Sequence, residues 1–496
     1  MIQLRKRSLV VAVAACLLLF SAASGAAASA ETSKEASAPA ASGTAFKQIL
    51  AGTYYSVALR ADGTVWTWGR NLWGELGVLK ENAVTAIAAP VRLPNLSGMT
   101  AISTNGTGMQ VGLKKDGTVW EWGSIAGSKS SPRDSELPKQ VAGLANVKAA
   151  AAFGAGGGIA LQGDGKLFAW THDAAAGGLQ LRQVPGAYDW TDMTSGGNIV
   201  TALDAQGSVW GIRANQDADG GTSVPTPFRM TGLPAMKQVS GGGSLQYGKL
   251  YGVDRKGSAW SWELNPKSLT AGAGTAPATL PVKAVQMHQE LRVKEIQGGF
   301  YGILLTENGE VCALDKGTTG KSGTVGTLSG IVSIAAGYHH NLALDDKGRI
   351  WGWGGDKWYE SGSLTSSRDG MLYAPTPIQP AISVYVNGRL LVSPFPARID
   401  NGSVSVPMKA ALQALGGTFA SNPADNTTKF AYKQKTAVLH PDGSGVRVND
   451  TQEVSLPAIK RGFSGVTMIP AFLLKLLGVQ ATWDAKLGEL RLDGNP

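Results

Sequence analysis

The sequence predicts a mainly β protein, a repeat array of the propeller or solenoid kind, followed by a small α+β domain. Three observations carry this expectation. An apolar strand runs into a Gly-centred turn seven times, at residues 59–66, 113–120, 161–168, 203–210, 253–260, 305–312 and 344–351. The turn glycines, Gly63, Gly117, Gly165, Gly207, Gly257, Gly309 and Gly348, are offset by 54, 48, 42, 50, 52 and 39 residues. Strand, tight turn and strand at such a period build stacked or radially arranged units, each unable to bury its apolar face alone. Past residue 380 the pattern changes to strands alternating with short apolar helical stretches.

Residues 1–30 read as a signal peptide. Arg5, Lys6 and Arg7 precede an apolar run from Leu9 to Phe20, and Ala28-Ser29-Ala30 is a small-residue cleavage pattern. No later segment is apolar enough to span a bilayer, so the expected product is secreted or held at a cell surface without a transmembrane segment. Cleavage would take the formal charge from +9 to +6, because three basic and no acidic residues leave. Lys and Arg are scattered, and a nucleic-acid partner would need a basic face or stripe. Cleavage also leaves Cys312 as the sole cysteine, at a position where other repeats carry Trp or Phe. It reads as a buried small hydrophobe, and no intramolecular disulfide can form. Residues 31–45, rich in Ala, Ser and Pro, read as a flexible linker.

Residues 46–380 hold the repeats. The Asp-Gly and Asn-Gly turns suit hairpins whose central residues need positive φ. Val65, Thr67 alternating with Trp66, Trp68 is period-two strand patterning. Each copy adds a Gly-rich approach before its first apolar strand, as in Leu50-Ala51-Gly52-Thr53-Tyr54-Tyr55. The stretch from Ala51 to Gly77, AGTYYSVALRADGTVWTWGRNLWGELG, resembles the repeat of the regulator of chromosome condensation family. The resemblance implies a seven-bladed β-propeller, strong in the first and seventh copies and eroded between them. A closed ring leaves no exposed sheet edges around the circle. Residues 46–50 match the strand that would follow the seventh repeat, so they are expected to complete the last blade.

Residues 381–496 form the α+β unit. Val404 to Gly417 reads as a strand and a short helix with Pro407 in its first turn and Gly at its end. The pattern returns over Val466 to Trp483 with one residue fewer, leaving that helix register less defined. This stretch resembles the N-terminal, or stalk, domain of copper amine oxidases. Copper is not implied: His440 is the unit's only histidine, and one imidazole does not make a copper site. No cofactor or metal is expected anywhere in the chain.

Candidate chemistry is sparse. The turn acids Asp62, Asp116 and Asp164 give way to Gln206, Lys256, Asn308 and Lys347 in other copies, as a turn tolerates and shared catalysis does not. No phosphate-binding Gly-rich loop and no Gly-x-Ser-x-Gly elbow is present. The repeat tryptophans read as core. The departures from the repeat are aromatic: Trp73 and Trp358 with Tyr359 in the loops after Trp-Gly, and Tyr54, Phe300, Tyr338 and His339 in the Gly-rich approaches. In a closed ring the sixth, seventh and first blades are neighbours, so these seven side chains gather in one sector as a candidate partner-binding surface. The expected function is a non-enzymatic binding or scaffold protein, secreted, whose loop face meets an extracellular protein or cell-wall polymer. The alternatives are a polysaccharide hydrolase or lyase, needing two convergent carboxylates in the central cleft, and guanine-nucleotide exchange, which shared fold alone does not transfer.

Overall fold

The computed structural model describes residues 45–494 apart from 79–83, 124–136, 155, 174–177, 197–198, 214–225, 242–248, 265–278, 301, 315–322, 327, 364–368, 401–402, 423, 457–465 and 485–486. The expected leader and nearly all of the linker lie outside these residues.

Seven antiparallel sheets follow one another along the chain, and each begins with its innermost strand. Those inner strands are Phe46–Ala51, Met99–Thr104, Val147–Phe153, Trp190–Gly196, Met236–Gly241, Val293–Gln297 and Ile331–Ala336. All seven line one cavity of about 490 Å³, the central channel of a seven-bladed propeller. The second and third strands of each blade carry the repeat and meet at the Gly turn, where all seven turn glycines have φ between 72° and 86°. Blade four has a fifth strand, Thr279–Pro281, which leaves the chain of blade five to pair in parallel with Phe228–Thr231.

The second strand-three tryptophan is the largest core piece. Trp68, Trp122, Trp170, Trp262 and Trp353 are fully buried, and each apolar cluster spans two adjacent blades. Turn carbonyls add a second tie between neighbours. Gly63, Gly117, Gly165, Gly207, Gly257 and Gly348 accept from backbone N–H groups of Met99, Val147, Tyr188, Met236, Val293 and Phe46 at 2.8–3.2 Å.

Ring closure differs from the expectation. The strand Phe46–Ala51 pairs with Tyr55–Arg60 as the inner strand of blade one, while blade seven is completed by its own outer strand, Met371–Ile378. The repeat is in phase with the blade, so no strand crosses the seam. Closure comes from the same inter-blade ties used elsewhere: Phe46 N–H donates to Gly348, Tyr338 N–H to Gly52, and Phe46, Ile49 and Trp68 pack with Leu342, Leu344 and Ile350.

The last propeller strand ends at Ile378, and the C-terminal module's first strand is Ser383–Val386. Its two strand-helix copies face each other: Ser403–Pro407 pairs antiparallel with Met468–Pro470, and each feeds a short helix, Met408–Ala414 and Phe472–Leu476. Pro407 is the residue before the first helix and holds an extended ψ of 107°, not a first-turn position. A proline there has no N–H to waste and ends the strand without interrupting the helix. Among the described residues no helix is long and apolar enough to cross a membrane.

The module is docked on blade one. Ala88 N–H donates to the Pro394 carbonyl at 2.9 Å and Ala381 N–H to that of Pro90 at 2.8 Å, along the outer strand Ala86–Arg92. Val392 enters the apolar cluster of blade one, and Arg92 pairs with the buried Glu489 at 2.9 Å.

Candidate functional site

Antiparallel order puts the connections between strands one and two, and between strands three and four, on one face of the ring. The Gly turns and blade-to-blade crossings lie on the other. All seven aromatic candidates therefore share the first face. Register confirms the placement in blades one and seven, where Arg70 N–H donates to Tyr54 O at 2.8 Å and Gly355 N–H to His339 O at 2.7 Å.

Four of the seven side chains form one cluster across blades six, seven and one. Phe300 lies 5.0 Å from Tyr338 and 5.7 Å from His339; Tyr338 and His339 are 4.3 Å apart; Tyr54 is 6.2 and 6.1 Å from the same two rings. These are the tilted and edge-to-face geometries that aromatic quadrupoles favour. Each ring remains partly open to solvent. Arg70 extends the patch, its guanidinium 4.7 Å from the Tyr54 ring, and burial lowers His339 below its ordinary value, favouring the neutral ring.

Why the rings stand outward follows from what lies beneath them. At the next position Tyr55 and His340 turn inward and are buried. A Cβ on Gly52 would sit 2.3 Å from the Tyr55 ring, and one on Gly337 would sit 2.6 Å from that of His340. The glycines of the approach are therefore the roof over an inward ring, and strand alternation sends the neighbouring ring out.

Trp73 and Trp358 occupy equivalent loops. Each backbone N–H is capped by a glutamate two residues on, Trp73 by Glu75 at 2.8 Å and Trp358 by Glu360 at 2.7 Å. Trp73 is half exposed, at 50%, and Trp358 is partly covered. Tyr359 takes the place of Gly74 and holds a left-handed φ of 63°. Its ring lies 5.5 Å from Phe395 of the C-terminal module, so it faces that module instead of joining the four-ring cluster.

The loops differ in charge. Glu75 is ion-paired with Arg70 at 2.7 Å, but Gly355 stands at the arginine's place in blade seven. Glu360 has no ion pair among the described residues, and burial pushes its carboxyl up to about 7, against weaker opposing pulls from backbone hydrogen bonds, Arg70 and Lys357.

Three constellations invite a catalytic reading, and each is tied up. Ser56 Oγ lies 2.8 Å from His340 Nε2, yet the hydroxyl proton is donated to the Glu360 carbonyl at 2.7 Å. His340 must then be the donor, the wrong tautomer for a base toward this serine. Burial also pushes His340 down to about 3. In the channel the residue after a β-bulge recurs in every inner strand: Gln48, Ala101, Ala149, Asp192, Gln238, Glu295 and Ser333. Gln48 and Gln238 clasp the next blade by bonding both the N–H and the C=O of Ile102 and Ile296. Glu295 does the same work, with Ile334 N–H, Ser333 and Gln297 bonded to its two oxygens. Asp192, one methylene shorter, is exposed at the channel wall. Enclosure by the channel wall raises both carboxyls above the usual range. Glu295 and Asp192 stand two blades apart with Gln238 between them, and the glutamate is spent on the wall. Cys312 is buried and its thiol raised by burial, the opposite of an activated nucleophile.

The turn acids cap the turns. Asp62 and Asp116 accept from the N–H and hydroxyl of Thr64 and Thr118, which in turn accept from Trp66 and Trp120. In blades four, five and seven the acid sits two residues earlier, at Asp204, Asp254 and Asp345, and reaches Trp210, Trp260 and Trp351 directly. The sequence reading missed this compensation, although the pairing of acid position with Thr, Ser or Arg after the glycine was visible in the copies.

Residues 46–72 and 331–357 match the regulator of chromosome condensation (RCC1) repeat, and residues 385–492 match the copper amine oxidase N-terminal domain. The chain thus carries RCC1 repeats in a propeller and that second domain at its C-terminal end. The mitochondrial RCC1 domain-containing protein RUG3 of Arabidopsis thaliana is 25% identical over 339 residues, 63% of this chain and 66% of that protein. The E3 ubiquitin-protein ligase HERC2 of Homo sapiens is 29% identical over 129 residues, 25% of this chain and 3% of that one. The chain spans less than two thirds of the length of these curated relatives. Among solved structures, Prp20p from Saccharomyces cerevisiae has a TM-score of 0.49 at 18% identity, covering 66% of this chain and 87% of that one. Human WBSCR16 has a TM-score of 0.48 at 16% identity, covering 64% and 94%.

The second domain's name raises the question of copper, and the residues do not fit it. His440 is paired with Glu453 at 3.0 Å, and Glu453 is shared with Arg447, a cation that would oppose a metal. No group of three potential ligands occurs among the described residues.

Proposed function

We propose that the chain is a secreted, non-catalytic bacterial binding protein that presents one propeller face to an extracellular protein or cell-wall polymer. The C-terminal module serves as its stalk. The observation that carries this reading is the four-ring cluster of Tyr54, Phe300, Tyr338 and His339, assembled from three blades on the face that also exposes Trp73. Rings supply large contact area at small entropic cost, and such anchors dominate binding energy where they meet a partner. None of the seven is needed for the blade core, which is filled by inward Trp and aliphatic side chains. The commitments of Ser56, His340, Glu295 and Cys312 to the structure support the non-catalytic part.

The test is retention of cell-envelope protein and polymer fractions on the immobilised chain. Tyr338→Ala and Trp73→Ala should each lower retention about 10-fold or more, the range of a hot-spot truncation, with melting temperature unchanged. Equal retention by both variants would remove this face from the function.

A further inference from the structure

On the opposite face, between blades five and six, lies a pocket of about 480 Å³. Its walls are the Gly turn of blade five, carrying Arg255 and Lys256, the crossing into blade six, carrying Arg292, and the Gly turn of blade six. The backbone around it is fixed: Val293 N–H donates to Gly257 O at 2.8 Å and Glu307 N–H to Arg292 O at 2.9 Å.

The two guanidinium groups are held by carbonyls, not by carboxylates. Arg255 Nη2 donates to Ala205 O at 2.6 Å, and Arg292 Nη1 donates to Lys256 O. A carbonyl positions a guanidinium without cancelling its charge, and one bond leaves most of its five donors unspent. Among the described residues neither arginine nor Lys256 has an ion pair. The pocket's other cation, Lys237, is neutralised by Glu307 at 2.8 Å, and Glu290 is turned toward His288 at 3.5 Å. Glu310 remains as the opposing charge at the wall.

We propose that this pocket binds a tetrahedral oxyanion of the phosphate type, with Arg255, Arg292 and Lys256 as its donors. Three cations from two segments, the blade-five turn and the crossing into blade six, suit an anion with several oxygens spread over a tetrahedron, whereas a carboxylate offers two oxygens in one plane. Fixing the arginines beforehand reduces the ordering cost of binding. The phosphate has two candidate sources, free phosphate or the phosphodiester units of an anionic polymer.

Isothermal titration of the full chain with inorganic phosphate, and separately with a poly(glycerol phosphate) oligomer, tests this. Arg255→Ala and Arg292→Ala should each weaken inorganic phosphate about 10-fold, the effect of one charge-assisted hydrogen bond. Glu310→Gln should tighten it, and that variant keeps the proposal testable if an arginine variant folds poorly. Lys429→Ala, an exposed cation of the C-terminal module, should change nothing. Tighter binding of the oligomer than of phosphate, lost in the same variants, assigns the polymer as source; equal binding per phosphate assigns the free ion. Binding that is indifferent to both arginines, or acetate binding as well as phosphate, would overturn the proposal.

Discussion

At the scale of single residues, the chain shows how one carboxylate can be neutralised or left strained by a single neighbour. Glu75 and Glu360 cap equivalent loops, but Arg70 compensates only the first. Glu360 is pushed by burial up to about 7, well above an unfolded glutamate near 4.5. A carboxyl raised in this way favours the fold fully below pH 4.5, and that contribution is lost as pH rises through 7. The loss amounts to about 3 kcal/mol by linkage. Glu360→Gln keeps an oxygen for Trp358 N–H and removes the charge. It should therefore stabilise the protein by about 3 kcal/mol at pH 8 and leave it unchanged at pH 4. Denaturant melts at the two pH values check this, and an equal gain at both would show that charge is not the cause. Of the candidate residues, the rings of Tyr54, Phe300, Tyr338 and His339 were legible because they broke a repeat. The fate of Tyr359 was not, since its partner Phe395 lies in another domain and no repeat registers it.

Among the elements, the Gly turns do two jobs that the sequence shows only in part. The pattern revealed the need for positive φ, but not that six of the same seven carbonyls tie one blade to the next. The conformational demand can be separated from close packing at the seam. Gly309 has φ of 82° with nothing nearer than 3.8 Å to an added Cβ, so Gly309→Ala should cost about 1 kcal/mol for the left-handed conformation alone. At Gly348 the φ is 72° and an added Cβ would lie 2.4 Å from the Ala45 Cβ and 2.8 Å from its Cα, at the seam between blades seven and one. Gly348→Ala should cost about 3 kcal/mol, the conformational term plus displacement of the first strand. Urea melts of the pair decide it, and equal costs would mean the seam is loose. The propeller and its seven units were legible from period and turn chemistry. The closure was not, because residues 46–50 fit equally as a strand following the seventh repeat and as a strand opening the first. Only pairing partners distinguish a strand that ends one blade from a strand that begins the next.

For the whole molecule, the question is whether the C-terminal module is a separate spacer or part of the propeller's stability. Its attachment is of mixed chemistry. Val392 enters the cluster of blade one, two backbone bonds run along the outer strand Ala86–Arg92, and Arg92 meets Glu489, whose side chain is 4% exposed. The outer strand of a blade is a sheet edge, the place where a propeller is open to unwanted pairing. Covering blade one's edge by Ala381 and Pro394 both satisfies those groups and fixes the module's direction relative to the ring. Two substitutions separate the contributions. Arg92→Ala leaves Glu489 with Arg491 alone, at 3.4 Å, and should cost about 2 kcal/mol, below the usual loss for a buried pair because that second arginine remains. Val392→Asp places a carboxylate in an apolar cluster and should cost about 3 kcal/mol or release the module altogether. Calorimetry distinguishes these outcomes from an independent spacer. If the docking is integral, the intact chain melts in one transition, and Val392→Asp divides it into two while lowering the propeller's own. A spacer would give two transitions from the outset, neither moved by either substitution.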